Sequence, residues 1–181
     1  MAGGKRKPRL PADQVAAGIA YFGALGFEVE HFGSQWSLLR IAQLIEADLN
    51  RICAPHGISI ADFHLLSALM MERGEPLRAT DLAHALNVSN AALTGRVRRL
   101  AEKALIERDH EGGDRRAALL ALTPEGHELV RAAAADLERE GLFLQCFRAM
   151  AAADRAELHR LLGDIHTAIN RHFVPTSRPD A

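Results

Sequence analysis

Four cations, Arg96, Arg98, Arg99 and Lys103, fall within residues 89–103 against Glu102 alone, giving that stretch a net charge of +3. Short polar side chains stand with them at Ser89, Asn90 and Thr94, and a second pair of arginines, Arg115 and Arg116, follows Asp114. Such groups can read a nucleic acid. A guanidinium pairs bidentately with a guanine edge, and hydroxyls and amides bond phosphates and base edges. The whole chain carries a formal charge of −1, so it is not a basic coat for nucleic acid. Residues 78–116 hold a net +2 and the remainder −3, which concentrates the positive charge locally. A solvated helix face with ordinary surface arginines accounts for the charge equally well, so helical phase has to decide.

Leu93, Val97 and Leu100 recur at steps of four and three, one face of a helix. Ser89, Asn90, Thr94, Gly95, Arg96 and Arg99 then lie on its other sides. Gly95 costs about 1 kcal/mol of helix propensity relative to alanine, which suggests that something approaches the backbone closely there. Ser89 is an N-cap for this helix, which runs to about Lys103. A shorter helix starting at Ala79 or Thr80 and ending at Leu86 precedes it across Asn87-Val88, a helix-turn-helix. Downstream, "ERDHEGGDRRAALLALTPEG" (residues 107–126) places an apolar run, Ala118–Leu122, after two glycines and before Thr123-Pro124. Thr123 caps a helix with Pro124 at its first position. Leu105–Arg108 supplies a partner strand, so residues between the two form a hairpin loop. A hairpin beside the helix can put Arg115 or Arg116 into the electronegative minor groove, with Asp114 orienting an arginine.

The remaining pattern is helical. Residues 1–10 read as a basic tail, and Pro11 opens a short helix to about Leu25. From Ser34 a broad apolar face (Trp36, Leu38, Leu39, Ile41, Leu44, Leu49) runs until Pro55-His56-Gly57 interrupts it. Ser59 with Asp62 starts the next helix, whose core side is Phe63, Leu65, Leu66, Leu69 and Met70. Glu125 to about Met150 reads as one helix, and a last helix from about Ala153 carries Leu158, Leu161, Leu162, Ile165, Ile169 and Phe173. At 181 residues and 48% hydrophobic content the chain can bury a core in one domain with an extension. No apolar stretch approaches a membrane span and residues 1–14 contain no signal-peptide core, so a cytoplasmic protein without a membrane partner is expected.

The helix-turn-helix and hairpin resemble the winged helix-turn-helix repressors of the multiple-antibiotic-resistance regulator (MarR) family. The motifs that carry the resemblance are Leu105-Ile106-Glu107-Arg108, Asp114-Arg115-Arg116 and Leu122-Thr123-Pro124-Glu125-Gly126 around the wing. "ALTGRVRRL" is similar to the family's recognition helix and "GISIADFHLLSAL" to the helix before that domain. The resemblance spans about residues 34–172. Departures are Ala104 where glycine is usual, Arg98 where an acidic residue is common, and Gly112-Gly113 at the wing tip. A mainly α fold with a small β-hairpin wing is implied. Its parts are a basic tail and N-terminal helical extension (1–33), dimerisation helices (34–56 and 124–173), a DNA-binding domain (58–123) and a flexible C-terminus (174–181). The implied partners are double-stranded DNA at a pseudo-palindromic site and a second copy of the chain. The 36–52 and 158–173 faces support the dimer independently, because they offer more apolar surface than one winged domain can cover.

Relatives in this family often release DNA when a small phenolic or aromatic acid binds between dimerisation helices and the DNA-binding lobe. Trp36, Arg40 and His64 are the candidates here for an aromatic carboxylic acid or its thioester. Arg40 follows Trp36 by one helical turn, so a stacking ring and a cation can share a face. The plain alternative makes Trp36 a core residue, Arg40 a surface ion-pair partner and His64 an ordinary helix residue. Cys53 and Cys146 form no CxxC, and the nine histidines lack tight ligand spacing, so no metal or cofactor is expected; a redox or metal sensor of the same fold is the rival. A winged domain that binds protein alone is the other. No P-loop, GxSxG, HExxH or dinucleotide fingerprint is present, and a single Trp and Tyr leave little surface for stacking single strands.

Overall fold

The computed structural model describes residues 11–72, 77–109 and 119–173. Its elements in chain order are α1 (Pro11–Ala24), α2 (Phe32–Cys53, followed by a 3₁₀ turn at Ala54–His56), α3 (Ile60–Met71), β1 (Leu77–Arg78) and α4 (Ala79–Ala85). Then come α5 (Asn90–Glu102), β2 (Ile106–Asp109), β3 (Leu119–Leu122), α6 (Pro124–Glu140), α7 (Leu142–Ala149) and α8 (Ala152–Phe173). The fold is mainly helical, with one small antiparallel sheet in the order β1-β3-β2. Leu120 and Leu122 point inward from β3, and β2 pairs with it from Ile106–Leu122 to Asp109–Leu119. β1, a strand absent from the sequence reading, pairs Leu77 with Leu120 and Arg78 with Leu119.

Local chemistry starts the helices where expected. Ser59 and Asp62 form a reciprocal capping box on α3, and Thr123 Oγ1 accepts the Gly126 N–H at 3.0 Å to cap α6. Two helices end in left-handed caps on non-glycine residues. Beyond α4, Asn87 (φ 51°) lets the Val88 N–H reach the Ala83 carbonyl at 3.0 Å. Beyond α5, Ala104 (φ 55°) lets the Leu105 N–H reach the Leu100 carbonyl at 3.0 Å. Asparagine tolerates that conformation, whereas alanine in it is strained by its Cβ. Ala104→Gly is therefore expected to stabilise the protein by about 0.5–1 kcal/mol, raising the melting temperature by about 2 °C. A lower melting temperature would contradict the strain.

The core lies inside the winged lobe and against the ends of α2 and α6. Leu65, Leu66, Leu82, Leu93, Leu100 and Leu120 are all at most 1% exposed. Phe63 and Met70 are partly buried against it. The expected single helix over 125–150 is two. It breaks at Gly141 (φ −61°, ψ 119°), and the buried Asp48 carboxylate of α2 accepts the Leu142 N–H at 2.8 Å to cap α7. Arg51 holds the same carboxylate at 2.9 Å. The Leu142 bond, followed by Arg51, keeps Asp48 below its ordinary pKa against the opposing effect of burial. Leu161, Ile165 and Ile169 of α8 and Leu38, Leu39, Ile41 and Leu44 of α2 are exposed in the single chain. Among the described residues no single helix is long and apolar enough to cross a membrane.

Candidate nucleic-acid interface

α5 is the second helix of a helix-turn-helix, with α4 before it and the left-handed Asn87 in the turn. Its inner face is Leu93, Val97 and Leu100, each under 5% exposed, as their spacing predicts. The Ser89 hydroxyl accepts the Ala92 N–H at 3.2 Å and so caps the helix. Asn90 is exposed in the first turn, and Thr94 donates its hydroxyl to the Asn90 carbonyl at 2.7 Å. A Cβ added at Gly95 would meet nothing within 4 Å, so packing within the chain does not require a glycine there.

The three arginines differ in what holds them. Arg96 is partly buried and makes no hydrogen bond or ion pair among the described residues. Arg98 is exposed and lies 3.7 Å from Glu102 one turn on, a weak contact in water. Arg99 Nη2 donates to Asp62 Oδ1 at 3.2 Å, while Asp62 Oδ2 accepts the Ser59 N–H and hydroxyl. One buried carboxylate thus caps α3 and orients an arginine of α5. Arg99 remains half exposed, so donors remain for an outside acceptor. The sequence identified Asp62 as a cap only, because nothing local signals a partner 37 residues away. Asp114, Arg115 and Arg116 lie outside the described residues; the strands β2 and β3 that lead to them are in place up to Asp109 and Leu119.

Several polar contacts anchor this lobe. Lys103 Nζ donates to the Gly57 carbonyl, and Asn50 Oδ1 accepts the Ile60 N–H at 2.9 Å. His56 Nε2 lies 2.8 Å from Asp136 Oδ2 of α6, a bond that, with Arg139, holds the Asp136 carboxyl below its ordinary pKa. None of these long-range partners was visible in the sequence.

The ligand candidates divide. Trp36 and Arg40 line one cleft of about 390 Å³ with Leu39, Gln43 and, from α1, Gln14. Phe32 stacks on Trp36 with ring centroids 6.0 Å apart, and Arg40 Nη1 donates to Gln43 Oε1 at 3.4 Å. His64 lines a different cleft, between α3 and α4, so a single chain does not bring the three together. α2 and α3 meet near the end of α2, and the phase of α3 turns His64 toward α4. Cys53 is fully buried, and that burial, then nearby Asp62, raises its thiol pKa, the opposite of what a reactive thiolate needs. Among the described residues no group of three His, Cys, Asp or Glu could hold a metal ion.

Comparison with known proteins agrees with this architecture. The model described as MarR family matches residues 56–117. The HTH-type transcriptional regulator PecS of Dickeya dadantii (strain 3937) is 30% identical over 141 residues, covering 76% of this chain and 80% of PecS. AbsC, a MarR family transcriptional regulator from Streptomyces coelicolor, superposes with a TM-score of 0.65 at 25% identity over 80% of this chain and 97% of AbsC. A cysteine-to-serine mutant of MarR from E. coli, complexed with operator DNA, does so with a TM-score of 0.62 at 24% identity over 71% and 89% of the two chains. With the PecS match spanning most of both proteins, and the helix-turn-helix, sheet and flanking helices all present, this chain belongs to the MarR family of winged helix-turn-helix transcriptional regulators and is not an enzyme.

Proposed function

We propose that the protein is a homodimeric repressor that binds a pseudo-palindromic duplex with α5 of each copy in the major groove and the hairpin between β2 and β3 in the adjacent minor groove. The observation that carries this reading is the outer face of α5. It combines Arg96, unpaired among the described residues, the half-exposed Arg99 and the exposed Arg98 with an open approach to the backbone at Gly95. The operator complex of the E. coli relative supports it by likeness. Exposed apolar stripes on α2 and α8 support the second copy as their cover.

The effector in this reading is a small aromatic carboxylic acid or its thioester in the Trp36–Arg40 cleft. An aromatic ring can lie on Trp36, and the Arg40 guanidinium can fork to a carboxylate. A ligand that prefers a dimer with mis-spaced recognition helices by about 1.4 kcal/mol per site shifts the equilibrium tenfold.

Mobility shifts on the promoter beside its own gene test both halves. Arg96→Ala should weaken duplex binding roughly 5- to 150-fold while the protein remains folded. Wild-type affinity in that variant, or binding that does not fall with rising salt, would remove α5 from the interface. With benzoates, cinnamates or their coenzyme A thioesters added, the wild type should release DNA and Arg40→Ala should not. Calorimetry showing unchanged ligand affinity in Arg40→Ala would take Arg40 out of the site.

A further inference from the structure

The segment that joins α2 to α3 is held from three sides. On one, His56 Nε2 lies 2.8 Å from Asp136 Oδ2 of α6. On another, Asn50 Oδ1 of α2 accepts the Ile60 N–H at 2.9 Å. The third side is α5 and its C-cap. Lys103 Nζ donates to the Gly57 carbonyl, and Arg99 Nη2 donates to Asp62 Oδ1 at 3.2 Å. Arg99 and Lys103 stand one helical turn apart, so both cations leave the same face for the same short segment. The segment itself is stiff. Gly57 is left-handed (φ 71°) with its N–H on the Ala54 carbonyl at 2.9 Å, and the Ser59–Asp62 capping box follows at once. The imidazole that meets α6 and the carbonyl that holds Lys103 belong to adjacent residues, so a displacement of Asp136 has a short path to α5.

We propose that His56 is a positioning residue for DNA binding: its bond to Asp136 fixes the mount of α5 relative to α6, and so sets where Arg96, Arg98 and Arg99 stand. Burial of Val130 and Ala133 presses α6 against the lobe, but apolar burial has no direction. The bond to His56 supplies the direction, because it is met only within a narrow range of distance and angle. Removing the imidazole leaves no orphan charge, since Arg139 Nη2 already donates to Asp136 Oδ1 at 2.6 Å. The fold therefore survives the loss of His56, while the mount of α5 loosens.

The proposal rests on the reading of α5 as the DNA helix, and two measurements on the full chain separate them. Amide hydrogen exchange without DNA should quicken at residues 57–62 and 99–104 in His56→Ala, and stay parental in the core of α3. His56→Gln, whose amide nitrogen can replace Nε2, should restore the slow exchange. In mobility shifts on the promoter duplex beside its own gene, His56→Ala should bind roughly 3- to 30-fold more weakly with parental helix content. His56→Gln should recover most of that loss, and adding Asp136→Ala to His56→Ala should cost no more than His56→Ala alone. Unchanged exchange in His56→Ala overturns the mount whatever α5 reads. Parental DNA affinity in His56→Ala, alongside weakened binding by Arg96→Ala, overturns the proposal and spares α5. So does a His56→Gln variant that binds no better than His56→Ala. Parental affinity in Arg96→Ala, or no binding by the parent, tells against α5 itself and takes this proposal with it.

Discussion

Gly126→Ala is expected to lower the melting temperature by about 10 °C, corresponding to a loss of about 3 kcal/mol, the upper range for overpacking. A Cβ at Gly126 would lie 2.1 Å from the Leu105 carbonyl oxygen and 3.1 Å from Leu122 Cδ2. No rotamer relieves the first contact, because the neighbour is backbone. That carbonyl also accepts the Thr123 N–H at 3.2 Å, so moving it away breaks the join between β2 and the start of α6. Thermal melting followed by circular dichroism is the measurement. A variant melting within about 2 °C of the parent would show that α6 is not seated on Leu105.

Leu161→Asp and Ile165→Asp should convert the proposed homodimer into a folded monomer. In the single chain Leu161 is 43% and Ile165 46% exposed, so a carboxylate there meets water and the fold persists. Across a twofold interface each substitution occurs twice, and burying an unpaired carboxylate costs roughly 3 kcal/mol per copy, weakening association by about four orders of magnitude. Sedimentation should give a monomer with parental helix content. A dimer of parental stability would remove this stripe from the interface, and a variant that unfolds would mean that α8 packs within its own chain.

Features set by neighbouring residues were legible before the structure. Ser59, Ser89 and Thr123 each cap the helix that their sequence context announces. The inward spacing of Leu93, Val97 and Leu100 was enough to phase α5 correctly. What escaped depends on residues far apart in the chain. β1 is two residues long and exists only as a partner for β3, some forty positions away. The break at Gly141 is held by Asp48, 94 positions away, and a helix-favouring composition hid it. Helical phase joined Trp36 and Arg40, and His64 was added on the packing that the resemblance implies, but α3 turns His64 into the cleft against α4. Pro124-Glu125-Gly126 carried the family resemblance without its cause, which is the carbonyl of Leu105 under Gly126.

The joint at Gly141 turns α6 into a lever. On one side of this fulcrum lie α7 and the exposed stripe of α8, and on the other, α6 runs back to its cap at Thr123, beside β3. With 17 residues α6 is about 25 Å long, so a swing of about 5° at the joint moves its far end by about 2 Å. That displacement is enough to carry an arginine out of hydrogen-bonding range of a base edge. The Asp48 carboxylate acts as the pin: it grips the Leu142 N–H while ionised and loosens only in acid, as pH falls through a pKa below the ordinary carboxylate range. In the homodimer proposed above, a rotation at this one buried oxygen would alter the spacing between the two copies of α5.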